Sequence, residues 1–418
     1  MQCYNQNMKV WLKYLIGIVL GLVAGIVLPM NNAAFAAFIS FITELFIRIG
    51  RYIVVPLVFC TTVVSINKLR SSKLFFKTIR WTAIVIISST LILTVVGLLS
   101  ILIVKLPRIP ITVDTTSDVF KLDISSLFLS LFPLSAFDSL REGSFLLVPF
   151  VFALLIGFES ATAVDTPLYK PVFQLFDSLS KLFYNIAVFF TETMAIFMIA
   201  IMAKWFVEYR QIMFSGIYTP MFIMFLVDFV VVAGIIYPVI LRYVCHDPYP
   251  YRVLYASLAP ALLAFFGGDS NLTLPLTIRH GKESLGIRRR CAGFTFPLFS
   301  IFARGGSALV SIISFILIWR SYSSLNIPLT EIFWIFGLSF GISFLLGGFP
   351  SGSAFILVTI LCQQYARGFE TSFLLLKPAA LIICSFSAIF DIMSAMFGSY
   401  VVAVKTKTIE HHNAQNFI

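Results

Sequence analysis

The chain has 418 residues, of which 59% are hydrophobic and 12% charged, with a mean hydropathy of +0.96 and a formal net charge of +11. A soluble domain cannot be this apolar, so the composition describes a polytopic helical membrane protein. The positive excess lies in clusters between apolar runs, where membrane topology explains it without nucleic-acid binding.

The first apolar stretch, Leu15 to Leu28, follows Lys9 and Lys13 and lacks a convincing small-residue cleavage site. It reads as a transmembrane helix rather than a signal peptide. Apolar runs predict helices over 10–29, 34–66, 80–105, 145–158, 179–206 and 218–244. The second carries Glu44, Arg48 and Arg51, so its first part is expected along the interface or against protein. Region 119–143, with Pro133 and its acids, is expected to form short helices and a loop.

Segment Asn67–Arg80 carries Lys68, Arg70, Lys73, Lys77 and Arg80 without an acid, and Arg279, Lys282, Arg288, Arg289 and Arg290 form a second basic cluster. Lys405 and Lys407 mark the C-terminal end, whereas Asp114, Asp118 and Asp123 share one polar stretch. Basic loops stay cytoplasmic, which puts both clusters and both termini inside and the Asp stretch outside. The six cysteines, Cys3, Cys60, Cys245, Cys291, Cys362 and Cys384, and the four histidines show no metal-ligand or redox spacing, so neither metal nor cofactor is expected.

After residue 250, three successive apolar segments are interrupted by small and polar residues. The first interruption is Gly267-Gly268-Asp269-Ser270-Asn271-Leu272-Thr273-Leu274-Pro275, the second Ala303-Arg304-Gly305-Gly306-Ser307, the third Gly347-Gly348-Phe349-Pro350-Ser351-Gly352-Ser353. The first and third each suit a re-entrant hairpin, one opening to the cytoplasm and one to the outside. Paired broken segments of opposite orientation mark inverted-repeat secondary transporters with the site between them. An arginine in the middle break is costly at depth, about 2.5–3.5 kcal/mol even on a mild insertion scale, and must have partners.

These residues resemble the glutamate transporter homologues, the dicarboxylate/amino acid:cation symporter family, over essentially the whole chain. Leu12–Gly17 and Val55–Phe59 look like its first two helices, Pro133–Phe137 like the start of its fourth, and His246-Asp247-Pro248 like the Asp-Pro before its first hairpin. Asp269–Pro275 resembles the serine-rich first hairpin tip, and Lys282-Glu283 with Leu285-Gly286-Ile287 the segment that follows. Gly348–Ala354 resembles the second tip, and Ala388-Ile389-Phe390-Asp391 the last helix, near an Asp that holds a substrate amino group.

The resemblance implies an all-α polytopic membrane protein with eight transmembrane helices, two re-entrant helical hairpins and inverted repeats. It also implies a homotrimer in a bacterial inner (cytoplasmic) membrane, with an elevator-type movement of a transport domain against a scaffold. Residues 1–66 would hold helices 1 and 2 of the scaffold and 67–105 helix 3 of the transport domain. Residues 106–178 would hold the helix 4 region, 179–244 helices 5 (scaffold) and 6 (transport domain), and 245–418 the transport core. The partners implied are a small-molecule substrate and membrane lipid.

The family's sodium-binding Asn-Met-Asp-Gly-Thr falls on Ala303, Arg304, Gly305, Gly306 and Ser307, so the Asn and Asp oxygens are absent and a guanidinium stands in the middle. A family tyrosine of a sodium site falls on Ile86, beside Ser89 and Thr90, and the last helix has no Arg to pair with an acidic side chain. The family's proton-carrying Glu falls on Ser311. Sodium needs several hard oxygen ligands. The departures therefore imply sodium-independent transport, with Arg304 either replacing bound cations or meeting the substrate carboxylate. The candidate substrate-binding residues are Ser270, Asn271, Arg304, Ser307, Pro350, Ser351, Gly352, Ser353, Asp391 and Ser394. Protons are the remaining coupling candidate, with Asp391 ranked ahead of Asp228, Asp269 and Glu192. Plainer roles compete: Asp269 as a helix cap, Glu192 and Asp228 in ion pairs, Arg304 in a salt bridge to Asp391.

The expected function is secondary active transport of a small carboxylated solute, an acidic or neutral amino acid. The alternative is a degenerate solute sensor or anion-conducting channel. A membrane enzyme is the weakest reading, since the sequence shows no nucleophile–base pair or phosphate-binding loop.

Overall fold

The computed structural model describes residues 8–27, 33–110, 124–131, 146–162, 170–323, 327–410, 412 and 417–418. The Asp114, Asp118 and Asp123 stretch and the Pro133–Phe137 match lie outside these residues. The described secondary structure is helical, joined by two isolated antiparallel bridges, Asp269 to Ser351 and Ile287 to Ile409.

The first helices are α1 (Val10–Val27), α2 (Ala33–Ser71), α3 (Phe75–Ile103), the short α4 (Ile124–Ser130), α5 (Leu147–Thr162) and α6 (Lys170–Ser215). Helix α2 runs unbroken for 39 residues. Of the charges in its first half, Arg51 meets protein beside Gly50, which lies close to Phe190 and Leu272, whereas Glu44 and Arg48 are exposed and pair with each other. Helix α6 is longer than its apolar run predicts, at 46 residues. The Asn67–Arg80 charges fall mostly on the end of α2 and the start of α3 rather than in a loop.

Helix α7 (Thr219–Val231) passes through a π turn, Val232–Ile236, into α8 (Tyr237–Val244). A π turn inside a helix is frequently found at functional sites, and here Tyr237 is the first residue beyond it. After the short α9 (Tyr251–Ala256), α10 (Leu258–Gly267) and α11 (Ser270–Glu283) form a first helix–turn–helix. Helices α14 (Leu329–Ser343) and α15 (Ser353–Tyr365), with a 3-10 turn at Leu346–Gly348 between them, form the second. Both turns need glycine, because Gly268 and Gly352 have φ of +60° and +85°.

Between the two lie α12 (Arg289–Phe302) and α13 (Gly305–Tyr322), separated where Ala303 and Arg304 leave helical geometry. The break at Arg304 read from the sequence is therefore present. The chain closes with α16 (Ala380–Lys405). Among the described residues, seven stretches are long and apolar enough to cross a membrane, and shorter apolar helices include Leu147–Ala161, Leu258–Gly267, Leu329–Ser343 and Ser353–Tyr365. This is a multi-pass membrane protein. The most apolar window of the broken segment Arg289–Tyr322 is 94% buried, against 33% for α1, which puts the break at the centre of the molecule.

Candidate functional site

Each polar break supplies a short helix end, and all three ends meet the middle of α16. At the first tip, Asp269 caps α11: its Oδ1 accepts from the amides of Asn271 (2.8 Å) and Leu272 (3.2 Å). Its Oδ2 accepts from Arg51 Nε (3.0 Å) and Nη2 (2.7 Å) of α2. Arg51 Nη2 also lies 3.4 Å from Ser351 Oγ of the second tip. The tips are joined directly as well, since the amide and hydroxyl of Ser270 both donate to the Pro350 carbonyl at 3.2 Å.

Beneath the joined tips lies Arg304, among the largest fully buried side chains, at 1% exposure. Its Nη1 donates to Ser270 Oγ and stands 3.6 Å from Asp391 Oδ2. Its Nε and Nη2 are buried and have no hydrogen-bond partner among the described residues. Those two nitrogens form one edge of the guanidinium, the edge that grips a carboxylate with two parallel hydrogen bonds. A cation half-satisfied at this depth is expensive unless something meets that edge.

Asp391 faces the freed N-terminus of α13. Its Oδ1 accepts from the Gly306 amide at 2.7 Å, and its Oδ2 accepts from Ser307 Oγ at 3.3 Å. The helix dipole favours an anion at that end. Ser307 Oγ also meets Ser353 Oγ of the second tip and Ser387 Oγ of α16, both at 2.8 Å. The result is a closed cluster with one cation, one carboxylate and several hydroxyls.

Of the residues singled out in the sequence, Ser270, Arg304, Ser307, Pro350, Ser353 and Asp391 converge here, and Ser351 and Gly352 form the second tip. Asn271 lies next to them, accepting from Ser300 Oγ at 3.0 Å. Ser394 does not join: its hydroxyl pairs with Tyr237 at 2.6 Å, and Tyr237 lies 3.3 Å from Ser89. The acids also separate. Glu192 is held by Lys13 and, at 2.8 Å, by Arg279, which also reaches Glu283. Arg279 thus lies in a buried network on α11 rather than in a cytoplasmic loop. Asp228 accepts from Ser100 Oγ at 3.0 Å, away from Arg304.

Two participants were not singled out from the sequence. Ser387 stands four residues before Asp391 on the same helical face, a spacing visible in the chain. Arg51 was noted only as a charge in an apolar run, and its partner is 218 residues away. Beside the tips a cavity of about 440 Å³ is lined by Thr43 and Ile47 of α2, Trp205 and Tyr209 of α6, Gly268 and Ser351.

The family model of the sodium:dicarboxylate symporters matches residues 10–405. Over 185 residues, 40% of the chain, the sequence is 30% identical to the proton/sodium-glutamate symport protein of Bacillus caldotenax. It is equally identical to the protein of that name from Geobacillus stearothermophilus. The match spans 42% of the length of each of these relatives.

Proposed function

The chain belongs to the sodium:dicarboxylate symporter family, a family of transporters and not of enzymes, and on that premise we propose that it is a secondary carrier of a small carboxylated solute, an amino acid. The observation that carries the proposal is the open Nε/Nη2 edge of Arg304, buried beneath both hairpin tips. It offers a carboxylate a bidentate, charge-assisted grip in a site screened from water.

The same residue argues against sodium as the fuel. Where relatives of the resembled family place Asn and Asp oxygens, this chain places a fixed positive charge. Nη1 of Arg304, beside Asp391 and Ser270, occupies the role of a tethered cation, while the opposite edge faces the solute. Transport is accordingly sodium-independent. Among the acids weighed for proton coupling, Asp269 and Glu192 are each held in ion pairs away from Asp391, with Arg51 and with Lys13 and Arg279. Asp391, at the centre of the cluster beside Arg304, stays the first candidate for carrying a proton, ahead of Asp228.

We further propose the elevator arrangement in a homotrimer, in a bacterial cytoplasmic membrane with both termini inside. Helices α1, α2, α5 and α6 belong to the scaffold, and α3, α7 and α8 with the core from residue 245 onward belong to the moving body. The hairpins are re-entrant. The contacts between hairpin tips, broken helix and α16 support this reading, because they join the proposed core into one unit.

The test is binding and uptake without sodium. Purified protein in potassium buffer should show a thermal shift with amino acids, and proteoliposomes should take up the same solutes without a sodium gradient. A steep rise of substrate affinity with sodium would sink the coupling claim. Absence of binding and counterflow for every carboxylated solute would favour a sensor or anion channel instead.

A further inference from the structure

We propose that the substrate is a zwitterionic amino acid with an uncharged side chain, and that the site discriminates against dicarboxylates. The inference deepens the carrier reading above and rests on it.

The argument is one of charge. The buried cluster contains Arg304, at 1% exposure, and Asp391, at 4%, with a Nη1 to Oδ2 distance of 3.6 Å. The neighbouring charges, Asp269 and Arg51, close on each other through two hydrogen bonds from the guanidinium. Each pair sums to zero. A zwitterion leaves that sum unchanged, whereas a dicarboxylic amino acid adds one buried negative charge. The groups around Arg304 and Asp391 that remain are the hydroxyls of Ser270, Ser307, Ser353 and Ser387, which hydrogen-bond but do not neutralise. An unpaired buried ion is strongly disfavoured.

The geometry gives each end of a zwitterion a partner. The α-carboxylate takes the Nε/Nη2 edge of Arg304, which has no partner among the described residues. The α-ammonium takes Asp391 Oδ2, which faces Arg304 and Ser307, while Oδ1 stays on the Gly306 amide. The ammonium then stands beside Ser307, whose hydroxyl also reaches Ser353 and Ser387.

The test is calorimetric titration of purified protein in sodium-free buffer at neutral pH. The panel is the neutral amino acids, aspartate, glutamate, succinate and propionate. A neutral amino acid should bind about 100-fold tighter than aspartate or glutamate, and alanine about 30-fold or more tighter than propionate, which lacks the ammonium. Asp391→Asn should erase most of the alanine-to-propionate difference; the panel on the unmodified protein decides the matter should that variant fail to fold. Dicarboxylates binding as tightly as neutral amino acids, or propionate matching alanine, would overturn the inference and leave the carrier reading standing. Failure of every carboxylated solute to bind would overturn both.

Discussion

The carboxylate of Asp391 accepts a 2.7 Å hydrogen bond from the amide of Gly306, tying the last helix to the first turn of the broken helix's second half. The approach depends on the missing side chain. A Cβ on Gly306 would stand 2.5 Å from Phe390 Cβ, 2.6 Å from the Ser387 carbonyl and 2.8 Å from Asp391 Oδ1. Gly306→Ala should destabilise the protein by about 1–3 kcal/mol through overpacking and weaken solute binding. Unfolding midpoints in detergent, with and without solute, measure both effects.

Arg304 and Asp391 should be energetically coupled. Arg304→Met leaves Asp391 buried without its cation, a loss of about 3–5 kcal/mol by the rule for a broken buried pair. Asp391→Asn added to Arg304→Met should recover a large part of that loss. Stability measurements on the four proteins of the cycle test this, and strict additivity would refute the coupling. Arg304→Lys keeps the charge but loses the two-toothed edge, so it should weaken carboxylate binding by about 10-fold or more while preserving the fold.

The clasp formed by Arg51 should govern opening of the two tips. Arg51→Ala removes the bonds to Asp269 and the contact with Ser351. Local opening should become easier by about 1.5–3 kcal/mol, the usual worth of hydrogen bonds to charged groups. Hydrogen exchange at residues 267–273 and 349–353 should speed up accordingly, while exchange in α13 stays unchanged.

Acid should act at the loop before α9. Burial pushes the carboxyl of Asp247 up, but the Tyr400 hydroxyl, the Tyr249 amide at 3.0 Å and Arg252 at 2.9 Å together outweigh it and hold its pKa below the ordinary value. A depressed carboxyl stabilises the folded state above its unfolded pKa of about 4. That contribution is lost as the pH falls through the lower folded value. Asp247→Asn should therefore lower the unfolding midpoint at neutral pH and flatten its fall below about pH 4. Thermal melts across that range provide the check.

The break at Arg304 and the two glycine-bearing turns that flank it in the chain were legible because glycine, proline and a buried charge punctuate apolar runs locally. The convergence of Ser270, Ser353 and Asp391 was legible through the order of those motifs. What could not be read is side-chain pairing across the chain: nothing near Arg51 announces Asp269. The partner of Ser394 was not legible for a related reason. The Ser394 hydroxyl pairs with Tyr237, which follows the π turn Val232–Ile236, and a helical repeat of 3.6 residues does not disclose that turn.

Helix α6, with 46 residues, is about 69 Å long, more than twice the roughly 30 Å of hydrocarbon it crosses. Even a steep tilt of about 40° would submerge only some 26 of those residues. The first hairpin touches this post from Tyr184, hydrogen-bonded to Glu283, to Trp205, packed edge-on to Phe266. That track covers about 32 Å of helix. A helix that outlasts the bilayer at both ends gives the first helix–turn–helix a protein surface along a length comparable to the hydrocarbon itself, so that its polar side chains on that side face protein rather than lipid.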